Sequence, residues 1–295
     1  AASDVYKRQV PAAAADIQAD KSAPKNQQPT VLNSANGMTQ VNIQTPSAGG
    51  VSVNQYRQFD VDSRGAILNN SRRNTQTQLG GWIQGNPWLA TGEARVIVNQ
   101  VNSANPSLLN GYIEVGGRRA EVVLANPAGI QVDGGGFINA AGATLTTGLP
   151  FIRNGQLDGI QVAGAGKVGI GKGGLDGRDA DYTRILSRAA EINGGIWAKD
   201  LQITAGENDF DAAGKHTPRS STNTPAVAID TGELGGMYAD KITLISTDKD
   251  ATVRNQGQIF AQAGGVSIDA AGRLGNSGTL ASQGSADIRA KQVEN

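Results

Sequence analysis

A repeat of about 21 residues in the C-terminal half constrains the fold of this chain more than any other feature. In each copy, a glycine precedes two apolar residues, a small residue, a short polar turn and a second alternating run. The copies are GGIWAKDLQIT (194–204), GGMYADKITLIS (235–246), GQIFAQAGGVSID (257–269) and GTLASQGSADIR (278–289). Their anchors Ile196, Met237, Ile259 and Leu280 lie 41, 22 and 21 positions apart, so the first gap is close to two periods. Such a period predicts one coil of a parallel β-helix per repeat.

The rest of the chain also predicts short strands joined by tight turns. It has 40 glycines but only five Phe, five Tyr and three Trp, so the core must be thin and built from Val, Ile, Leu and Ala. Residues 183–192 are the best helix candidate, but their alternation favours a strand. Gly, Asn, Pro and Asp separate the other alternating runs, which are VNIQT (41–45), VSVNQYRQFDV (51–61), RVIVNQV (95–101), GYIEV (111–115), AEVVLA (120–125), GIQV (129–132) and ATLTT (143–147).

Asparagines and two irregular segments are expected to mark the turns and loops. Asn tolerates left-handed backbone, and stacked coils can align its amides into ladders. The glycine-rich, charged segment 167–181 and the polar, proline-containing segment 206–226 are predicted to be loops projecting from the helix. The predicted turn asparagines are Asn69, Asn70, Asn193, Asn255 and Asn276.

The residue types argue against an enzyme and against a metal or cofactor site. Lys plus Arg and Asp plus Glu are equal at 26 each, so the chain lacks the basic excess that nucleic-acid binding needs. It has no cysteine, and its one histidine, His216, lies in a polar segment. The GxGxxG at 164–169 lacks a following helical pattern, so it does not predict a nucleotide site. Asp176, Asp179 and Asp181 are expected to form a solvated charge cluster.

Two asparagine-proline motifs carry a resemblance to a known family. The region from about residue 40 to residue 149 resembles the two-partner-secretion domain of filamentous haemagglutinin and of the CdiA-type contact-dependent growth inhibition proteins. NQYRQFDVDSRGAILNNS (54–71) and GFINAAGATLTTGLP (136–150) follow the order of that family. Trp88 and Ala128 replace its usual third-position Asn. The motifs are Asn86-Pro87-Trp88-Leu89 and Asn126-Pro127-Ala128-Gly129-Ile130.

The resemblance implies a fold, a partner and a location. The fold would be an all-β, right-handed parallel β-helix with an N-terminal β cap and extra-helical strands or loops. The partner would be an outer-membrane TpsB-type transporter with periplasmic POTRA-like domains and a barrel. The protein would cross the periplasm unfolded and reach the cell surface or medium as a monomer, where it could contact a target-cell or host surface.

The second motif also fits a type I β-turn on physical grounds. Asn is favoured at the first position, Pro fixes φ at the second, and Gly is favoured at the fourth. The first motif begins in the same way but lacks the final Gly. Both motifs are expected to set corners of coils. Two hypotheses stay open: the motifs only shape the fold, or they also serve export through the transporter or early folding.

Two other functions remain as alternatives for a β-helix. One is an adhesin that binds glycans or host proteins, and the other is a polysaccharide-active enzyme, since fold does not imply function. The acidic residues are scattered and aromatics are few, which disfavours the enzyme. Glycan binding should leave a row of exposed aromatic side chains on one face of the helix, whereas export does not require such a row.

The expected domain organisation has three parts. Residues 1–30 lack an initiator Met and a hydrophobic signal core, so we expect a disordered segment, either the remnant of a cleavage site or an added tail. Residues 31–150 would hold the secretion core, and residues 151–295 the continuing coils. The strand-like pattern still runs at Asn295, so we expect further coils and an effector beyond it.

Overall fold

The computed structural model describes residues 15–33, 36–221 and 223–295, which form strands almost throughout. Two short 3-10 helices occur, at Lys25–Gln27 and Pro87–Leu89. The strands, in chain order, are β1 Asp16–Ala19, β2 Thr30–Asn33, β3 Thr39–Asn42, β4 Val51–Asp60, β5 Ala66–Asn70, β6 Thr75–Thr77, β7 Gly81–Ile83, β8 Val96–Val101, β9 Ser107–Leu109, β10 Tyr112–Gly117, β11 Ala120–Ala125, β12 Ile130–Val132, β13 Gly135–Ile138, β14 Ala140–Thr146, β15 Leu149–Arg153, β16 Gln156–Val162, β17 Lys167–Ile170, β18 Leu175–Asp176, β19 Thr183–Ser187, β20 Ala189–Ile192, β21 Gly195–Trp197, β22 Asp200–Ala205, β23 Asn208–Asp211, β24 His216–Pro218, β25 Val227–Thr231, β26 Gly236–Ser246, β27 Thr252–Asn255, β28 Gln258–Asn276, β29 Thr279–Ser282 and β30 Ala286–Glu294.

The strands stack in parallel into three faces of one right-handed β-helix. Face A holds β3, β5, β10, β13, β18, β21, the start of β26, the start of β28 and β29. Face B holds β4, β8, β11, β14, β19, β22, the end of β26, the middle of β28 and the start of β30. Face C holds β9, β12, β17, β20, β25, β27 and the ends of β28 and β30.

The register confirms the repeat found in the sequence. Met237 pairs with Ile259, and Ile259 pairs with Leu280, so these anchors stack from coil to coil. Ile196 and Met237 are fully buried in the main core, which runs along the helix between the three faces and consists mostly of Val, Ile, Leu and Ala. The thin aliphatic core predicted from the composition is therefore present.

The 41-residue gap is one enlarged coil rather than two periods. Ile196 pairs directly with Met237, which leaves no room for an intervening coil. The extra residues leave the helix after β22 and return at β25. The segment 206–226 projects from the helix as expected, but it contains the antiparallel strands β23 and β24 rather than only a loop.

These two strands join β15 and β16 in a four-stranded antiparallel sheet outside the helix. The sheet covers face B, where Ile160 and Phe210 pack against outward-facing Val98, Val123 and Leu186. At these positions β8, β11 and β19 are therefore apolar on both sides, since their inner side lines the main core. The lone histidine, His216, begins β24 and is half-buried rather than free in a loop.

The segment 167–181 belongs to the helix and does not project as a loop. Its strand β17 pairs with β12 and β20, and its strand β18 pairs with β13 and β21. Val168, Ile170 and Leu175 are buried in the main core, which holds this glycine-rich stretch in place. The end of the GxGxxG sequence lies in β17, where an extended strand cannot cradle phosphate at a helix N-terminus. The strand predicted at 183–192 is confirmed as β19 and β20.

An antiparallel cap closes the N-terminal end of the helix. Strand β1 pairs with β4, and β2 pairs with β3. Ile17 is buried in the main core, so disorder is wrong for residues 15–30: burial of apolar side chains and strand pairing hold this segment in place. The remainder of the expectation, for residues 1–14, lies outside the described residues. Within the described residues, no helix is long and apolar enough to cross a membrane.

Candidate functional site

The second Asn-Pro motif forms the corner between β11 on face B and β12 on face C. The backbone N–H of Gly129 donates to the Asn126 carbonyl at 3.0 Å, which closes a β-turn as predicted. Gly129 has φ +119°, and a Cβ there would lie 3.0 Å from the carbonyl oxygen of Lys167 in the next coil. Glycine at this position is therefore required both by backbone conformation and by the close approach of a neighbouring coil.

The Asn126 side chain joins this corner to the preceding part of the chain. Its Nδ2 donates to the Asn105 carbonyl at 2.9 Å and to Ser107 Oγ at 3.0 Å, while its Oδ1 accepts from the Ala128 N–H at 3.0 Å. The residue is fully buried. Each of its polar atoms has a partner, so burial of the amide is compensated.

The first Asn-Pro motif makes similar contacts from a different local structure. Asn86 is the N-cap of the 3-10 helix Pro87–Leu89. Leu89 stands at the position that Gly129 occupies in the second motif, and the chain continues there with hydrogen bonds between residues i and i+3. The Leu89 N–H donates to the Asn86 carbonyl at 3.2 Å, so the predicted turn is present and takes the form of a 3-10 helical turn. Asn86 Nδ2 donates to the carbonyls of Ile43 and Asn69, both at 2.9 Å, and this corner lies between faces A and B.

The third position of each motif contributes a backbone group rather than a side chain. The Trp88 N–H donates to Asn86 Oδ1 at 2.9 Å, as the Ala128 N–H does to Asn126 Oδ1. The Trp88 ring is 41% exposed, with its Nε1 donating to Thr30 Oγ1 at 3.0 Å. The departures from the usual Asn therefore leave both turns intact. Leu89 and Ile130 end the motifs by packing into the main core.

Asn69 and Asn70 also lie at the corner between faces A and B. They are the last residues of β5 rather than turn residues, and both are fully buried. Asn70 Nδ2 donates to the carbonyls of Ala94 and Arg118 at 2.9 and 2.8 Å. Asn69 Nδ2 donates to Asn42 Oδ1 at 3.0 Å and so links two coils.

The predicted ladder exists, but without Asn193. Asn255 Nδ2 donates to Asn276 Oδ1 at 2.9 Å, and Asn276 Nδ2 donates to Asn295 Oδ1 at 3.3 Å. In the coils before Asn255, this column holds Ile192 and Thr231. Asn193 falls one position later and is exposed, so it belongs to the turn and not to the ladder.

Several ionisable groups form ion pairs with one another. Asp176 accepts from Arg178 Nε at 2.9 Å and from Tyr112 Oη at 2.7 Å, and the Arg178 guanidinium lowers the pKa of Asp176 to about 2. Arg188 and Asp248 form an ion pair that is almost fully buried. Within the residues that the structure describes, no group of three His, Cys, Asp or Glu side chains is placed to hold a metal ion.

Sequence reasoning missed an outward-facing row of aromatic rings on face A. Trp197, Tyr238 and Phe260 occupy the same register position in three successive coils. Each ring directly follows one of the buried anchors Ile196, Met237 and Ile259, whose spacing gives the period of the repeat. The signal was present as an aromatic residue at the position after three of the four anchors; Ala281 follows the fourth, Leu280.

The model of the TPS secretion domain family matches residues 15–276 of this chain, which includes the cap, both Asn-Pro motifs and nearly all coils. The chain belongs to the TPS secretion domain family. The chain is also similar to a solved structure described as the filamentous hemagglutinin secretion domain, with a TM-score of 0.81 and 30% identity, over 94% of this chain and 96% of that one. The fold and the resemblance expected from the sequence are thereby confirmed.

Curated relatives of this TPS domain are much longer proteins. The chain is 56% identical over 273 residues to "Toxin CdiA" of Yersinia pestis, a match that covers 92% of this chain and 8% of the relative. It is 48% identical over 254 residues to "tRNA nuclease CdiA-2" of Burkholderia pseudomallei, covering 85% of this chain and 8% of the relative. The chain thus spans less than a tenth of the length of these relatives.

Proposed function

We propose that this domain targets a large exoprotein to its outer-membrane TpsB-type transporter and nucleates β-helix folding outside the cell. The observation that carries the proposal is the family match over residues 15–276, which spans a β-helix closed at its N-terminal end by an antiparallel cap. The exoprotein would be a CdiA-like toxin or a haemagglutinin-type adhesin, with its effector outside this domain.

The contacts of the two motif asparagines, Asn86 and Asn126, support folding from the N-terminus. Asn86 donates to Ile43 and Asn69, and Asn126 donates to Asn105 and Ser107, all of which precede the donor in the sequence. If the N-terminus emerges first, each motif finds its acceptors already outside. Each corner could then form before the later residues emerge, and the coils would stack one after another.

Burial of the early strands supports recognition before folding. A periplasmic domain can bind an extended segment by adding it to the edge of its own sheet. The alternating runs 41–45 and 51–61 suit that mode, but in the folded domain Val41, Tyr56 and Phe59 are fully buried. Their strands also pair with neighbours on both sides. Only the unfolded chain would offer them to the transporter.

A binding experiment with the periplasmic domains of the cognate transporter tests this proposal. The chain is presented either folded or kept unfolded by dilution from denaturant, and binding to the immobilised domains is measured before refolding is complete. We expect the unfolded chain to bind and the folded chain to bind at least about tenfold more weakly, a difference of about 1.4 kcal/mol. Equal binding of both forms, or binding of the folded form alone, would contradict recognition before folding.

A further inference from the structure

The aromatic column on face A, defined as Trp197, Tyr238 and Phe260, is not explained by secretion. Its ring centroids lie 6.0 Å apart between Trp197 and Tyr238, with 17° between the ring planes, and 5.8 Å apart between Tyr238 and Phe260. The Trp197 side chain remains 38% exposed. The column spans two coil spacings, about 10 Å at roughly 4.8 Å each, which is the length of two or three sugar rings.

Glycines beside the column leave room for the rings. A Cβ at Gly195 would lie 2.5 Å from the Trp197 indole, and a Cβ at Gly236 would lie 2.5 Å from the Tyr238 hydroxyl. The outward position two residues before each of these rings therefore has no side chain. At the corresponding position in the third coil, Gln258 instead accepts a hydrogen bond from Tyr238 Oη at 2.8 Å, which fixes that ring.

The column forms one wall of a groove of about 470 Å³ along the corner between faces A and B. Small residues follow each ring, and Ala198, Ala239 and Ala261 are buried at the base of the groove. The polar residues that line it are Arg178, Asp240, Gln262, Ser282 and Gln283. Within residues 15–33, 36–221 and 223–295, no intramolecular hydrogen bond engages the side-chain amides of Gln262 and Gln283, both of which are exposed.

These groups match the two surfaces of a sugar. The C–H face of a sugar ring packs against an aromatic ring, while amide and carboxylate groups bond its hydroxyls. The charges favour a neutral ligand. Arg178, the lining cation, is already held by Asp176 at 2.9 Å, and Asp240 adds a carboxylate that opposes an anion.

We propose that this groove is a binding site for a neutral oligosaccharide. The site is separate from the secretion proposal, because it lies in later coils than both Asn-Pro motifs. This site would allow the same domain to bind a cell-surface glycan once export is complete. The column of outward-facing rings, of which Trp197 is exposed and Tyr238 and Phe260 are half-buried, is the feature that distinguishes this face from one that serves export alone.

An array of neutral oligosaccharides of two to six sugars, with sulfated and sialylated oligosaccharides beside them, tests the site with the purified chain. We expect binding to at least one neutral oligosaccharide. We expect Trp197→Ala to weaken it at least about tenfold, equivalent to about 1.4 kcal/mol. Tyr238→Phe should weaken binding less than Trp197→Ala does, since it keeps the ring and removes only the hydrogen bond to Gln258. Trp82→Ala is the matched control, because Trp82 is 68% exposed but lies in the β6–β7 hairpin away from the groove.

A second measurement does not depend on the stability of the Trp197→Ala variant. The chain has three tryptophans, so a Trp82→Phe, Trp88→Phe chain emits from Trp197 alone. The bound oligosaccharide should shield that emission from acrylamide quenching. Absence of binding to every neutral probe, preference for the anionic probes, unchanged binding by folded Trp197→Ala, or unshielded Trp197 emission would each overturn the proposal.

Discussion

Replacement of Asn126 by alanine tests how strongly the second Asn-Pro motif holds the coils together. The substitution removes three hydrogen bonds at a fully buried position, and leaves the Asn105 carbonyl, Ser107 Oγ and the Ala128 N–H without that partner. A net loss of about 1 kcal/mol for each of the three hydrogen bonds predicts a decrease of about 3 kcal/mol in the free energy of unfolding.

Urea unfolding followed by far-UV circular dichroism measures this change as a shift of the midpoint at constant slope. Asn193→Ala is the matched control, because Asn193 is an exposed turn asparagine whose substitution should change stability by less than about 0.5 kcal/mol. A decrease below about 1 kcal/mol for Asn126→Ala, or an equal effect of both substitutions, would refute the assignment of the motif as a link between coils.

Three other substitutions test separate parts of the structure. Arg188→Ala should lower the free energy of unfolding by about 3–5 kcal/mol in urea, because it leaves the buried Asp248 carboxylate unpaired; a loss near zero would contradict this. Gly129→Ala should cost at least about 1 kcal/mol in the same assay, because φ is +119° there; unchanged stability would show that the turn relaxes. Arg178 lowers the pKa of Asp176, so the resulting stabilisation is present above the unfolded pKa near 3.8 and is lost as pH falls towards about 2. Asp176→Asn should remove that part of the acid dependence of the melting temperature, and identical pH profiles would contradict it.

The sequence allowed the coils of the C-terminal half to be predicted because stacking demands the same residue type at the same place in each turn. Ile196, Met237, Ile259 and Leu280 all face one core, so their spacing reports the register. The spacing alone could not distinguish an enlarged coil from two coils. That distinction depends on where the residues between Ile196 and Met237 pack, which is outside the helix.

Extra-helical strands were expected, but their place at β23 and β24 was missed for a related reason. Strands β23 and β24 are short and mostly polar. They gain their order from the pairing of β23 with β16, from the pairing of β24 with β23, and from Phe210 packing on face B. Such long-range contacts leave little trace in local alternation. At the Asn-Pro motifs, the residue types predicted turns correctly, but the acceptors Ile43 and Asn69 depend on the stacking of distant strands.

Secretion tests the central claim most directly. The chain is fused to a signal peptide and expressed in Gram-negative cells with or without the cognate outer-membrane transporter, and the medium is assayed for protease-resistant, folded chain. The account predicts folded chain in the medium only when the transporter is present. Retention of folded chain in the periplasm of both strains, or equal release from both, would contradict its assignment as a self-sufficient secretion domain.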